Sequence, residues 1–176
     1  MSARTEPSRI AIISTGGTIE KTYCELGGEL SNQASVLDVM LSQFELEGVV
    51  ITRVPLMNKD SIEMSQADHD LIARTVAEQA VDHDGVVVVH GTDRLAETGE
   101  CIHALLPDLS VPVVLTGAMR PYELRRTDAL QNLVESLMAV QLLAPGVWCV
   151  MHNRALRFPG VRKDLERGTF VDAAEL

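Results

Sequence analysis

Apolar residues in this chain fall into five short, β-branched runs, separated by longer stretches in which they recur every three or four positions. The runs are Ile10–Ile13, Val49–Leu56, Val86–Val89, Val111–Leu115 and Val147–Met151. Polar residues barely interrupt them, which is the pattern of strands covered on both faces in a parallel sheet. Between the runs the spacing turns helical. Val36–Phe44 sets Val36, Leu37, Val39, Met40, Leu41 and Phe44 on one broad apolar face. Ser65–Val81 opens on a serine suited to an N-cap and repeats at Leu71, Ile72 and Val76. Leu95–Leu106 and Asp128–Leu143 share that spacing, and stop signals follow at Pro107 and at Pro145-Gly146.

Strands alternating with helices predict βαβ units with right-handed crossovers. The expected architecture is an open, mainly parallel, Rossmann-like or flavodoxin-like α/β sheet with helices on both faces. The longest irregular stretch, Glu20–Ser35 with Gly27-Gly28, is expected to be a loop leaving the first strand and forming a lid over a site. No repeat, low-complexity tract or linker composition divides the chain, so residues 1–176 read as one domain.

Composition narrows the function. A chain of 176 residues buries roughly two-thirds of its unfolded surface in a single core. Hydrophobic residues make up 46% and charged residues 23%, a globular balance. No apolar run reaches the ~20 residues of a membrane span. The opening "MSARTEPSRI" lacks the apolar segment of a secretion signal. A net charge of −10 disfavours nucleic acid and anionic membranes as partners. Cys24, Cys101 and Cys149 match neither a disulfide framework nor a CxxC site. Cys101 and Cys149 sit in apolar patterns and are expected as core thiols in a reducing, cytoplasmic setting.

In open α/β sheets ligands bind beyond the carboxyl ends of the strands, so the residues after each run carry the chemistry. These are Ser14-Thr-Gly-Gly-Thr18, Asn58-Lys-Asp-Ser61, His90-Gly-Thr-Asp-Arg94, Thr116-Gly-Ala-Met-Arg-Pro121 and His152-Asn-Arg154, with Lys163 further on. Hydroxyls, a carboxylate and a lysine converge on one edge, which suggests acyl transfer or amide hydrolysis. The first turn is no P-loop, since no GxxxxGK[ST] is present, and "TGGTIE" lacks the GxGxxG of dinucleotide folds. Alone it reads equally as a tight glycine turn. Asp93 by itself could simply cap a helix, and Lys163 could be a solvated surface lysine. Together they offer more. A threonine hydroxyl needs an activating base, and Thr92, Lys163 and Asp93 supply a hydroxyl, a base and a carboxylate to orient it. His90 and His152 without a third ligand make a weak metal site, so no metal or other cofactor is expected. His69, His83 and His103 read as surface or boundary residues.

Two of these motifs and a third carry a resemblance. "TGGTI" at Thr15–Ile19, "HGTD" at His90–Asp93 and "GAMRP" at Gly117–Pro121 are similar to the signatures of the bacterial-type L-asparaginase/glutaminase amidohydrolases, in the same order. The resemblance covers essentially the whole chain as that family's N-terminal domain and implies its fold. It implies Thr18 as first nucleophile and Thr92 as second catalytic threonine, with Asp93 gripping the substrate α-amino group and pairing with Lys163. It places Ser61 on the substrate α-carboxylate, Gly91 in the substrate pocket and the Ala118 carbonyl opposite the side-chain amide. Tyr23 matches a lid tyrosine that orients the threonine hydroxyl, and Ile62 stands where many members are polar. The chain stops at Leu176, where the family's smaller C-terminal domain would begin, so that domain is expected to be absent. Tyr122, Arg125 and Arg126 of a partner chain are then expected to help complete the site.

The expected function is hydrolysis of asparagine to aspartate and ammonia through a threonine acyl-enzyme, in a cofactor-free homo-oligomer. The small-molecule substrate is asparagine or possibly glutamine, and a non-catalytic amino-acid-binding domain is the other alternative.

Overall fold

The computed structural model describes residues 6–24, 27–31 and 36–175. In chain order the elements are β1 (Ser8–Gly16), β2 (Thr22–Cys24), β3 (Glu29–Ser31), α1 (Leu37–Leu41), β4 (Val49–Lys59), α2 (Gln66–Asp82), β5 (Gly85–Val89), α3 (Leu95–Leu105), β6 (Pro112–Thr116), α4 (Ala129–Leu142), β7 (Gly146–Met151), β8 (Arg154–Arg157), β9 (Val161–Asp164) and β10 (Thr169–Asp172). All five apolar runs become strands of one sheet in the order β4-β1-β5-β6-β7-β8. Neighbours from β4 to β7 run parallel, and only β8 is antiparallel to its partner.

Alternation along the strands divides the core. Ala11 and Ile13 of β1, with Val86 and Val88 of β5, face α2 and α3, where Ile72, Val76, Leu95 and Ile102 meet them. Ile10, Ile12, Val87 and Val89 face the other way, onto Leu37 and Met40 of α1 and Leu133, Leu137 and Val140 of α4. Every residue of β5 and β6 is buried, as two-sided cover demands. The chain leaves β1 for one side, to β4, and then crosses to the other, to β5. The switch point of the sheet therefore lies between the carboxyl ends of β1 and β5.

Several expectations change in detail. Ser65 does precede α2, and the Asp68 carboxylate accepts both its N–H (2.8 Å) and its hydroxyl (2.9 Å). α1 stops at Leu41 rather than running to Phe44, because Gln43 and Phe44 bond to carbonyls only three residues back and form turns. β4 runs on to Lys59, since pairing with the irregular end of β1 continues past Leu56 and brings Gly16 beside Lys59. The stretch read as a loop over residues 20–35 contains a short hairpin, Thr22–Cys24 against Glu29–Ser31, with Tyr23 opposite Leu30. The rest of that stretch, residues 25–26 and 32–35, lies outside the described residues. β8, β9 and β10 went unpredicted. Cys149 is buried, but Cys101 is only partly so, because the outer face of α3 borders an open cavity. His69 is buried to 1% exposure, not a surface residue, since α2 presses it against α3.

α3 packs tightly enough to reverse a helix preference. A side chain at Gly99 would overlap the ring of Phe158, itself 2% exposed. Alanine normally exceeds glycine in a helix by about 1 kcal/mol. Gly99→Ala is nevertheless expected to destabilise the protein by about 1–3 kcal/mol, because overpacking outweighs propensity. Urea unfolding checks this; an unchanged or higher midpoint contradicts it.

Candidate active site

At the switch point three turns meet backbone to backbone. Gly17, at φ 83°, lies against Gly91, and a side chain there would overlap Gly91 N and Cα. A side chain on Gly91 would in turn collide with Ser61, and one on Gly117 with the His90 carbonyl. Two threonine hydroxyls stitch the strand ends together: Thr15 donates to the Val89 carbonyl and Thr116 to the Val150 carbonyl, each at 2.9 Å. The two threonines of "TGGT" thus separate into different roles. Thr15 is buried with its proton committed, while Thr18 starts the short turn Thr18–Glu20, half-buried. Among the described residues, neither its hydroxyl nor its backbone N–H makes a hydrogen bond. Gly16 N–H donates to the buried Glu20 carboxylate at 3.2 Å, which ties this turn onto itself.

After β5 the chain presents Thr92, 3% exposed, and the exposed Asp93. Lys163 reaches them from β9, whose hairpin with β10 sets it opposite the buried Phe170. Its Nζ donates to Thr92 Oγ1 at 2.9 Å and to Asp93 Oδ1 at 2.7 Å. Residues 70 positions apart are thereby assembled into the hydroxyl–amine–carboxylate group expected from their chemistry. A cavity of about 710 Å³ borders Asp93 and Lys163 and extends along α3 past Glu97, Glu100 and Cys101. Ser61 begins the turn after β4, 1% exposed, and its Oγ has no hydrogen-bond partner among the described residues.

Ala118 is fully buried and held from both sides. Asn132 of α4 donates to the Gly117 carbonyl at 2.9 Å, and Asp128 accepts the N–H of Met119 and of Arg120, each at 2.9 Å. In a trans peptide N–H and C=O point in opposite directions. The bond from Met119 N–H therefore turns the Ala118 carbonyl away from Asp128. The Asp128 carboxylate also accepts from Asn132 (3.0 Å) and from His152 Nε2 (2.8 Å). Burial pushes the Asp128 carboxyl up, but the Met119 N–H, the His152 ring and the Arg120 N–H hold it below its usual range. Asp128, Asn132 and His152 escaped the sequence reading, which took the first as a helix start and the last as a stray histidine. Their signal is the spacing Asp-x-x-x-Asn one turn apart at a helix start just after "GAMRP".

Other expected residues stand apart. Tyr23 is 57% exposed on β2; its backbone N–H donates to Glu123, and its hydroxyl makes no hydrogen bond to Thr18. Ile62 is 68% exposed. The Tyr122 hydroxyl is bonded to Gln43, and Arg125 and Arg126 are exposed.

Fold and site together define a doubly wound α/β domain with a lysine-paired threonine at its switch point. Residues 9–169 match the family described as asparaginase, N-terminal, and the chain belongs to that family. It is 29% identical over 148 residues to the L-asparaginase of Thermococcus kodakarensis, covering 84% of this chain and 45% of that one. It is 34% identical over 145 residues to a glutamyl-tRNA(Gln) amidotransferase polypeptide of Haloquadratum walsbyi, covering 81% of this chain and 33% of that one. The crystal structure of L-asparaginase I from Vibrio cholerae superposes with a TM-score of 0.82 at 26% identity, over 94% of this chain and 51% of that one. The chain thus spans about half the length of these relatives or less.

Two outcomes follow for stability. Asp128→Asn puts a donor where four donors already converge and is expected to lose about 2–4 kcal/mol in urea unfolding; a wild-type midpoint contradicts the clamp. Burial pushes the His90 imidazole from 6.5 down to about 4, so the unfolded chain takes up a proton before the native one does. Its contribution is present in full above pH 6.5 and declines as pH falls toward 4, on the order of 3 kcal/mol. Urea midpoints should therefore drop between pH 7 and pH 5; a flat response contradicts it.

Proposed function

We propose that this chain is an ω-amide hydrolase that converts asparagine to aspartate and ammonia through a threonine acyl-enzyme. The observation that carries the reading is the Lys163 amine bonded at once to the Thr92 hydroxyl and the Asp93 carboxylate. A lone threonine is a poor nucleophile, and a positioned base is the device that changes that. Membership of the asparaginase family supports the same chemistry.

In the first half-reaction the Thr18 oxygen bonds to the side-chain amide carbon. The C–N bond breaks, and the hydroxyl proton leaves with nitrogen as ammonia. In the second, water adds to the ester carbon and the Thr18 oxygen departs, reclaiming a proton and releasing aspartate. Lys163, once it has given up a proton, draws one through Thr92, and Asp93 orients the amine. The backbone N–H groups of Thr18 and Thr92, which carry no hydrogen bond among the described residues, are the donors for the oxyanion. Gly17 and Gly91 admit the substrate carbon between them by having no side chains. The unpaired Ser61 hydroxyl receives the α-carboxylate, Asp93 the α-ammonium, and the Ala118 carbonyl the amide NH₂.

A second reading keeps the chemistry and changes the substrate to glutamine or another small ω-amide. Relatives named as parts of a glutamyl-tRNA(Gln) amidotransferase, at 30–34% identity, favour testing it. The cellular setting proposed is the cytoplasm, consistent with three free cysteines. Self-association is proposed as well. Val134, Met138 and Leu142 of α4 stand exposed, the first two lining a cavity of about 450 Å³ near Phe44 and Leu46. Sedimentation at micromolar concentration should show more than monomer; monomer throughout removes that part.

Ammonia release from asparagine and glutamine tests the reading. Thr18→Ala and Thr92→Val should each lower kcat at least about 10³-fold. Lys163→Met should lower it about 10²–10⁴-fold with a smaller change in KM. Wild-type rates in any of the three sink the mechanism. No release by the wild-type protein from either amide favours an amino-acid-binding domain instead.

A further inference from the structure

Behind the Thr92 turn runs a chain of buried hydrogen bonds that the reaction described above does not use. His90 Nδ1 lies 2.7 Å from the Gly91 carbonyl, and His90 Nε2 lies 2.8 Å from Thr98 Oγ1. The same Thr98 oxygen lies 2.7 Å from His69 Nδ1. His90 and Thr98 are fully buried and His69 is 1% exposed. The three come from the end of β5, from α3 and from α2, so the chain crosses the layer on one side of the sheet.

The direction of every bond is fixed by its first acceptor. A carbonyl oxygen cannot donate, so His90 Nδ1 carries hydrogen. Burial keeps the ring neutral, with its pKa pushed down to about 4, so Nε2 bears a lone pair. That lone pair needs a donor, and among the described residues the one in reach is the Thr98 hydroxyl. Its competing acceptor, the Arg94 carbonyl, is 3.4 Å away. The Thr98 proton is then spent, and its oxygen must accept from His69 Nδ1–H. Both histidines thus adopt the Nδ1–H form, the opposite of the Nε2–H form that the other bonding direction would need. His69 Nε2 ends the chain as a buried lone pair without a partner among the described residues, 3.9 Å from the Glu97 carboxylate that Arg94 already holds.

The near end of this chain bears on the site. The Gly91 carbonyl and the Thr92 N–H belong to one trans peptide and point in opposite directions. With its carbonyl tied to His90, this peptide presents the Thr92 N–H on the side away from the His90 ring. Among the described residues that N–H makes no hydrogen bond, although Thr92 is buried.

We infer that Thr98 and His69 are positioning residues of the reaction: they lock His90 in its Nδ1–H tautomer, and His90 holds the Gly91–Thr92 peptide with its N–H turned into the crevice as an oxyanion donor. Neither touches the substrate; they act through His90 and one peptide plane. The inference rests on the hydrolase reading for its catalytic half and on the structure alone for its tautomers. It also accounts for a buried histidine beside the reacting threonine that takes no part in proton transfer. Its proton is committed to a carbonyl.

The test uses the wild-type chain, Thr98→Val, which keeps the shape and removes the hydroxyl, and Thr98→Ser, which restores the hydroxyl. Imidazole ¹⁵N spectra at pH 7 should show His90 and His69 of the wild-type protein as neutral Nδ1–H rings. In Thr98→Val the His90 ring should lose that single tautomer, and kcat for ammonia release should fall about 10–100-fold with KM changed far less. Thr98→Ser should return both the tautomer and most of kcat. A wild-type His90 with hydrogen on Nε2, or Thr98→Val with wild-type kcat, overturns the inference. If Thr98→Val does not fold, the wild-type tautomers and the Thr98→Ser rate decide it. A wild-type protein that releases no ammonia from asparagine or glutamine fails the hydrolase reading, and with it the catalytic half of this inference; the spectrum then judges the tautomers separately.

Discussion

The contact between Gly17 and Gly91 is the constraint on which the site depends. Two backbones at the ends of adjacent parallel strands approach so closely that a methyl group on either would strike backbone or the Ser61 side chain. That approach brings the turn carrying Thr18 and the turn carrying Thr92 to the same point. It also places Ser61 behind them with its hydroxyl unsatisfied. The strands enforce it in turn, because β1 and β5 are paired from Ile10 to Ser14 and Thr15 bonds across to Val89 just before the turns begin. Sheet register, glycine and threonine stitch act as a single device, and chemistry is set on top of it.

Around that contact the molecule spends buried polar groups on orienting peptide planes. Asp128 gathers four donors beneath the loop of Ala118, and His90 holds the peptide ahead of Thr92. Such groups are expensive to bury unless every bond is made, so their presence in a core otherwise built from valine, isoleucine and leucine points to a geometric task. Only three buried side-chain polar atoms lack a partner among the described residues: Arg53 Nε, Ser61 Oγ and His69 Nε2. The second lies in the site and the third ends the histidine chain.

Much of this was legible beforehand because the informative patterns are local. Fully buried parallel strands announce themselves as runs such as "VVVV", and Thr15–Ile19 and His90–Asp93 carry their chemistry in consecutive residues. The pairing of Lys163 with Thr92 was expected from chemistry, although a hairpin of two four-residue strands performs it. What escaped was either weakly apolar or non-local. β8 reads "RALR", an edge strand with alternating exposure and no apolar run to mark it. The β2–β3 hairpin is three residues a side, below the length at which alternation speaks. Asp128 looks like an ordinary helix start; its task becomes visible only when the loop of Met119 and the turn of His152, 24 residues on, are brought to it. His69 lies well before His90 in the chain, on another element, and nothing in a helical repeat reveals that one face meets a buried threonine.

The central claim is that Thr18, at the glycine contact, forms a covalent ester during turnover. Rapid acid quench of the wild-type protein mixed with asparagine, followed by intact-mass and peptide mapping, tests it directly. The account predicts a transient adduct with the mass of an aspartyl group, confined to the peptide containing Thr18 and lost as turnover ends. Steady ammonia release with no adduct at any quench time, or an adduct on a residue outside this site, would contradict it.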